Sequence, residues 1–305
     1  MAEKTLILGA DGFLGRNFVR YFEERGWSTE RIGRAAGDLS DWSLVETLFR
    51  GMAKVDRIIH AVTQQRTGQV QYGIQGSLLA VNARVHLNVL EAWRLYQPQA
   101  RLISLGSSCA YPESEQAIPE EAFQTGPLHP SVKGYGLAKQ LLAIGSDAYA
   151  AEYGLRYLHC ILATVYGPHD HKQPDRTHFM TAMIDRAVAE KAAGNRQFTV
   201  WGGPDTVRDL LYVDDQISAI LAADKAFSNQ MLNCSSNQPV TIGGAAEAII
   251  AALDWDATVT YPPQSFRGAS RKTLDSGRFL EATDWRPEID MWTGIRRVLQ
   301  TDYGM

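Results

Sequence analysis

Short apolar runs at residues 5–8, 31–32, 57–60 and 101–105 predict strands, and helix-length patterns at 12–25, 43–50 and 74–96 lie between them. Strands spaced by helices predict βαβ units, hence an α/β architecture with a doubly wound parallel sheet. The stretch 78–95 is apolar on more than one helical face, through Leu79, Val81, Val85, Leu87, Val89, Leu90 and Trp93. It is therefore either deeply buried or shared with a second subunit. Past Gly167-Pro168 the alternation loosens into loops rich in Pro, Gly and His, with helical patterns at 179–192, 214–226 and 243–253. The change of pattern divides the chain near Tyr166, into 1–165 and a smaller α/β unit at 166–305, with segments of the two interleaved.

Composition narrows the class. At about 150 residues per domain, 305 residues predict about two domains. The apolar fraction of 45% and charged fraction of 21% are those of a globular chain and exclude a disordered or fibrous one. No apolar run approaches the roughly 18 residues of a membrane span. The net charge of −4, with scattered signs, leaves no basic footprint for nucleic acid. Cys109, Cys160 and Cys234 are too few and too dispersed for a disulfide framework, which predicts a reducing cytoplasm. The first residues lead directly into a strand, so the mature chain is expected to begin there, with no room for a leader.

Candidate chemistry begins at Gly9-Ala10-Asp11-Gly12-Phe13-Leu14-Gly15, between the first strand and the first helix. Glycines there permit a tight turn and close backbone approach to a pyrophosphate resting on a helix N-terminus. The spacing is one residue wider than the common dinucleotide fingerprint, but its strand–loop–helix context favours a dinucleotide. Gly9, Gly12, Phe13, Leu14 and Gly15 are its candidate contacts. After the second strand, Arg31-Ile32-Gly33-Arg34 offers no acid before Asp38. An acid at that point would bind a ribose 2′-hydroxyl, whereas an arginine suits a 2′-phosphate, so Arg34 favours NADP(H) over NAD(H). Asp38 and Leu39 stand where the adenine is expected.

Tyr135 and Lys139 are four residues apart and share one helix face. A phenol needs a neighbouring cation to work near neutral pH, since its ordinary pKa is about 10. Ser107 follows the fourth strand at the carboxyl edge, where ligands bind in open α/β sheets, and can hydrogen-bond the same substrate oxygen.

With these motifs the chain resembles the extended short-chain dehydrogenase/reductases, and within them its motifs are most similar to those of the GDP-L-fucose synthases. The resemblance covers nearly the whole chain. It rests on Gly9/Gly12/Gly15, Gly106-Ser107-Ser108-Cys109-Ala110-Tyr111-Pro112, Tyr135/Lys139 and Tyr166-Gly167-Pro168-His169-Asp170. Thr177-His178, Val200-Trp201-Gly202, Arg208-Asp209, Val213-Asp214-Asp215 and Arg271-Lys272 continue it. It implies a Rossmann domain with a nucleotide-sugar domain, NADP(H) as cofactor and a homodimer. It also implies reduction of an NDP-4-keto-6-deoxy hexose, a GDP-sugar by preference, with inversion at C5 and/or C3. Inversion beside a ketone needs proton carriers on two faces of the ring, and the resemblance implies Cys109 as base and His178 as acid. The residues alone leave that order open. Ser108, Arg186, Trp201, Arg208 and Lys272 match positions that contact the nucleotide sugar in such enzymes. Cys160 and Cys234 lie on apolar runs and read as core.

Two departures stand out. Ala163-Thr164-Val165 replaces a polar stretch usual in that family, and Asp11 stands where an arginine often helps hold the 2′-phosphate. His169-Asp170-His171 lacks a completing ligand, so no metal is expected. Two other classes remain open. One is a redox-neutral NAD-dependent 4-epimerase, disfavoured by the missing acid. The other is a non-catalytic dinucleotide sensor, disfavoured by the retained Tyr135 and Lys139.

Overall fold

The computed structural model describes residues 3–262 and 270–305, so Met1 and Ala2, where the mature chain is expected to start, lie outside the described residues. The first half runs β1 (Lys4–Leu8), α1 (Phe13–Glu23), β2 (Ser28–Ile32), α2 (Trp42–Arg50), β3 (Arg57–His60), α3 (Val70–Gly73), α4 (Gln75–Tyr96), β4 (Arg101–Leu105), α5 (Lys133–Tyr153) and β5 (Tyr157–Leu162). The second runs β6 (Thr164–Tyr166), α6 (Phe179–Ala192), β7 (Gln197–Thr199), β8 (Val207–Tyr212), α7 (Val213–Ala226) and β9 (Gln230–Cys234). It ends with β10 (Pro239–Thr241), α8 (Ile242–Ala252), β11 (Thr258–Thr260), β12 (Arg271–Lys272), α9 (Gly277–Thr283) and α10 (Met291–Tyr303).

Six parallel strands form the main sheet in the order β2-β1-β3-β4-β5-β9. Helices cover both faces, so a central strand such as β1 reads as the continuous apolar run Leu6-Ile7-Leu8, each fully buried. One core cluster packs α1 and α7 on one face, and a second packs α2 and α4 on the other. β2 begins three residues earlier than its apolar pair predicts. It is an edge strand, and its polar start, Ser28-Thr29-Glu30, conceals it from a hydrophobicity pattern. The sixth strand, β9, comes from beyond Tyr166, so the chain returns to the first sheet after entering the second unit.

That second unit is built on β8, which pairs parallel with β6 and β12 and antiparallel with β10. Its apolar residues, among them Met180, Phe198 and Val298, join the core of the α1 side. The α4–α5 pair buries one side against the sheet and leaves Leu87, Leu95, Leu137 and Ile144 exposed on the other. Among the described residues no helix is long and apolar enough to cross a membrane.

Candidate active site

Strand order reverses between β1 and β3, and ligands bind in the crevice beyond the carboxyl ends at such a switch point. A cleft of about 920 Å³ opens there, the size of a small-molecule site, roughly 300–1,000 Å³. At one end it is walled by the glycine loop. Gly9 has φ +86°, and its carbonyl accepts the Gly12 amide at 2.9 Å. A Cβ on Gly15 would lie 2.0 Å from the Gly9 oxygen, so Gly15 lets α1 start against the loop from behind rather than lining the cleft. The α1 N-terminus has no side-chain cap, which leaves its first amides for a ligand.

Arg34, Asp38 and Leu39 line the same end, Arg34 exposed on a short turn and Leu39 buried. Asp11 turns its carboxylate onto the end of β2 and accepts the Arg34 amide at 2.7 Å. A cation on this wall escaped the sequence reading, Arg176, and beside it stands His171, whose imidazole is lowered by burial and so kept neutral. Both come from the loop before α6, a segment with no periodicity to mark them. That loop is drawn over the cleft by Thr67, whose amide donates to the Asp175 carbonyl at 2.8 Å, and by an Arg66–Asp175 ion pair. Burial, then the charges of Arg66 and Arg34, lower the Arg176 guanidinium from its ordinary value. Among the described residues neither the Arg34 nor the Arg176 side chain forms a contact ion pair, although the Asp175 charge acts on Arg176 from a distance.

At the centre, α5 presents Tyr135 and Lys139, both buried. A Cβ on Gly136 would fall 2.4 Å from the Cys109 carbonyl oxygen, so glycine lets α5 pack directly on the turn that carries Ser107 and Cys109. Burial, reinforced by Cys109, raises the Tyr135 phenol well above its usual range, against hydrogen bonds from Ser107 and Thr63. This corrects the expectation that Lys139 brings the phenol toward neutrality. The ammonium is 5.7 Å from the Tyr135 ring centre and donates to the Leu105 carbonyl at 2.8 Å, not to the phenol. Burial lowers Lys139 itself to about 8.

Cys109 is buried on a 3₁₀ turn capped by Ser107, whose Oγ accepts the Cys109 amide at 3.2 Å. Lys272 Nζ, from β12, lies 2.9 Å from Cys109 Sγ. Burial pushes the thiol up, but Lys272, with Ser107 and Lys139, outweighs it and the thiol is lowered overall. His178 caps α6, where Asp170 accepts from its backbone amide at 3.2 Å and meets its Nδ1 at 2.7 Å. Its ring leans on Phe13, 5.5 Å between centres. Burial raises Asp170, but hydrogen bonds from His178, Thr181 and the His171 amide leave its carboxyl below the usual range. Asp170 is thus a support for His178; among the described residues no His, Cys, Asp and Glu gather as a metal set.

The cleft therefore brings together Ser107, Ser108, Cys109, Tyr135, Lys139, His178, Arg208 and Lys272. Arg208 and Lys272 are register neighbours on β8 and β12. Arg186 and Trp201 stand apart from its walls. They stack on each other at 4.3 Å, with Trp201 64% exposed, because Trp201 follows β7, which pairs with β11 rather than with β8. Cys160 and Cys234 are fully buried in the core.

The chain is similar to known proteins along nearly its whole length. A GDP-L-fucose synthase of Sinorhizobium fredii is 30% identical over 97% of this chain and 94% of its own length. GDP-L-fucose synthase 1 of Arabidopsis thaliana is 27% identical over 96% of this chain and 90% of its own. In fold, the chain superposes on a GDP-L-fucose synthetase of Naegleria fowleri bound to NADP with a TM-score of 0.88, at 21% identity, covering 98% and 92% of the two chains. The sequence pattern of the NAD dependent epimerase/dehydratase family matches residues 5–234, and the chain belongs to that family.

Proposed function

We propose that this protein is an NADPH-dependent epimerase and reductase of an NDP-4-keto-6-deoxy hexose, a GDP-sugar by preference, that transfers hydride to C4 and inverts C5 and/or C3. The observation that carries this reading is the meeting, in one cleft, of a phenol–serine pair with a lysine-bound thiol and a carboxylate-bound imidazole. A simple ketone reductase needs the first pair; only inversion beside the ketone needs the other two. The names of the relatives, GDP-L-fucose synthases, support the same reading.

The residues fit the cofactor. The loop made by Gly9, Gly12 and Gly15 and the uncapped start of α1 suit a pyrophosphate, and Arg34 and Arg176 suit a 2′-phosphate. Bound NADPH supplies the hydride. Tyr135, protonated at neutral pH, donates its proton to O4 as charge develops there, and Ser107 donates a hydrogen bond to the same oxygen. Cys109 as thiolate removes the proton next to the ketone. His178, with Nδ1 engaged by Asp170, has Nε2 free to return a proton from the other face. Arg208 contributes charge for the diphosphate. Leu87, Leu95, Leu137 and Ile144, exposed together on α4 and α5, suit a homodimer seam, and the three free thiols suit a reducing cytoplasm.

The test is incubation with GDP-4-keto-6-deoxymannose in D₂O, with and without NADPH, and product identification by NMR. Deuterium enters a carbon next to the ketone even without NADPH. Cys109→Ser abolishes this exchange, whereas His178→Gln exchanges but gives little inverted product. Reduction with no deuterium incorporation overturns the epimerase half. A second reading, a redox-neutral NAD-dependent 4-epimerase, is favoured by one observation: the Asp11 carboxylate sits at the end of β2, where an acid would meet a ribose 2′-hydroxyl. NAD bound in the purified protein, with no net oxidation of NADPH, would establish it instead.

A further inference from the structure

We propose that Lys272 is a positioning residue that holds Cys109 as a thiolate, through the 2.9 Å contact between its ammonium and Sγ across 163 residues of chain. This deepens the reading of Cys109 as the proton-abstracting base. A buried thiolate is costly unless a cation faces it. Four groups surround the Cys109 sulfur and titrate or hydrogen-bond: Ser107 on its own turn, Tyr135 and Lys139 from α5, and Lys272 from β12. Tyr135 stays neutral, and Lys139 directs its ammonium to the Leu105 carbonyl. Lys272 alone among them donates its charge to the sulfur directly, and among the described residues it forms no ion pair with a carboxylate.

The lysine is also placed rigidly. β12 pairs with β8 so that Lys272 stands opposite Arg208. Directly after it, the Thr273 carbonyl accepts the Ile118 amide at 3.0 Å, and the Asp275 amide donates to the Ile118 carbonyl at 2.9 Å. Asp209 accepts the Leu274 amide at 3.3 Å. These bonds tie the lysine's strand both to the substrate unit and to the segment that follows the Cys109 turn. When the base acts, the C–H bond breaks, an S–H bond forms on Cys109 and the electron pair stays on the substrate as its enolate. The Lys272 ammonium keeps its proton throughout.

The experiment is alkylation of the full-length protein by iodoacetamide from pH 5.5 to 9.5, with Cys109→Ala identifying the site by mass spectrometry and the fully buried Cys160 and Cys234 as unreactive internal controls. In the wild type the Cys109 rate rises with a midpoint below the ordinary thiol value of about 8.5. Lys272→Met moves the midpoint up by at least about one unit, which lowers the rate at pH 7 about tenfold, and Lys272→Arg restores most of it. An unmoved midpoint in folded Lys272→Met overturns the proposal, and so does a raised KM for the nucleotide sugar with no change in the pH profile. Should Lys272→Met not fold, the thiolate absorbance near 240 nm of wild type minus Cys109→Ala decides: a midpoint at or above about 8.5 overturns it. A shifted alkylation midpoint together with absent deuterium exchange supports the lysine–thiolate pair while refuting the epimerase reading.

Discussion

Two lysines in this cleft stand beside two weak acids, and the two acids are shifted in opposite directions. Lys139 lies next to Tyr135 but bonds the Leu105 carbonyl, and burial leaves the phenol raised and protonated. Lys272 bonds the Cys109 sulfur itself, and together with Ser107 and Lys139 it outweighs burial so that the thiol is lowered. The difference teaches that proximity of a cation does not set a proton's fate in a buried site. What decides is whether the ammonium touches the acidic atom or spends its hydrogen bond elsewhere. In the proposed mechanism the first arrangement keeps an acid protonated for O4, and the second readies a base for carbon.

The strongest way to break this contrast is Tyr135→Phe, which preserves shape and removes the proton. Reduction falls by about 10²–10⁴, while deuterium exchange driven by Cys109 persists. Equal loss of both in single-turnover assays would show that the two acids are not separate. Next in size is the cofactor end, where Arg34 and Arg176 form no contact ion pair. Arg34→Ala and Arg176→Ala each weaken NADPH by about 10–150-fold, the range of a charged hydrogen bond, and leave NADH within a few-fold. Fluorescence titration checks this, and Asp11→Asn strengthens NADPH by removing an opposing charge.

The two lysines also predict separate pH limbs. Because burial lowers Lys139 to about 8, its positive charge is lost as pH rises through that value. Reduction then falls about tenfold per unit above it, and the kcat profile of Lys139→Arg lacks this limb. Exchange rises instead as the Cys109 thiol ionises, so the two profiles cross.

The remaining effect is on stability. His60, His86 and His159 are fully buried near Lys139, and burial lowers them, His60 to about 3. Unfolded histidines take up protons below about 6.5 while these stay neutral, so stability declines as pH falls from there toward 3, by about 1.4 kcal/mol per unit for each histidine. Urea unfolding at pH 7.5 and 5.5 measures it, and His159→Gln flattens the slope.

Much of this molecule was legible along the chain because its determinants are local. β1, the glycine turn and α1 lie within twenty residues, and the pattern of apolar run, glycines and amphipathic helix is dictated by backbone sterics and burial. Tyr135 and Lys139 share a face through helical spacing alone. β2 was legible only in part, since an edge strand buries one side and keeps a polar start. The exposed apolar face of α4 was legible as one of two alternatives, burial or a shared seam.

Tertiary structure decided the rest. Nothing in the sequence places Lys272 on Cys109, Asp170 on the imidazole of His178 rather than on a metal, or Arg176 beside Arg34. Nor does it turn Asp11 onto the Arg34 amide or set Arg186 and Trp201 against each other outside the cleft. The sequence by itself determined which elements form and which side chains carry chemistry, because secondary structure and helical faces follow from short-range periodicity. The partner each charge meets, and therefore the direction in which each acid is shifted, depended on β8–β12 register and on the loop before α6 being drawn over the cleft. Contacts such as Lys272 on Cys109 join residues more than a hundred positions apart, and electrostatic energy depends on separations of a few ångströms that only the packed fold sets.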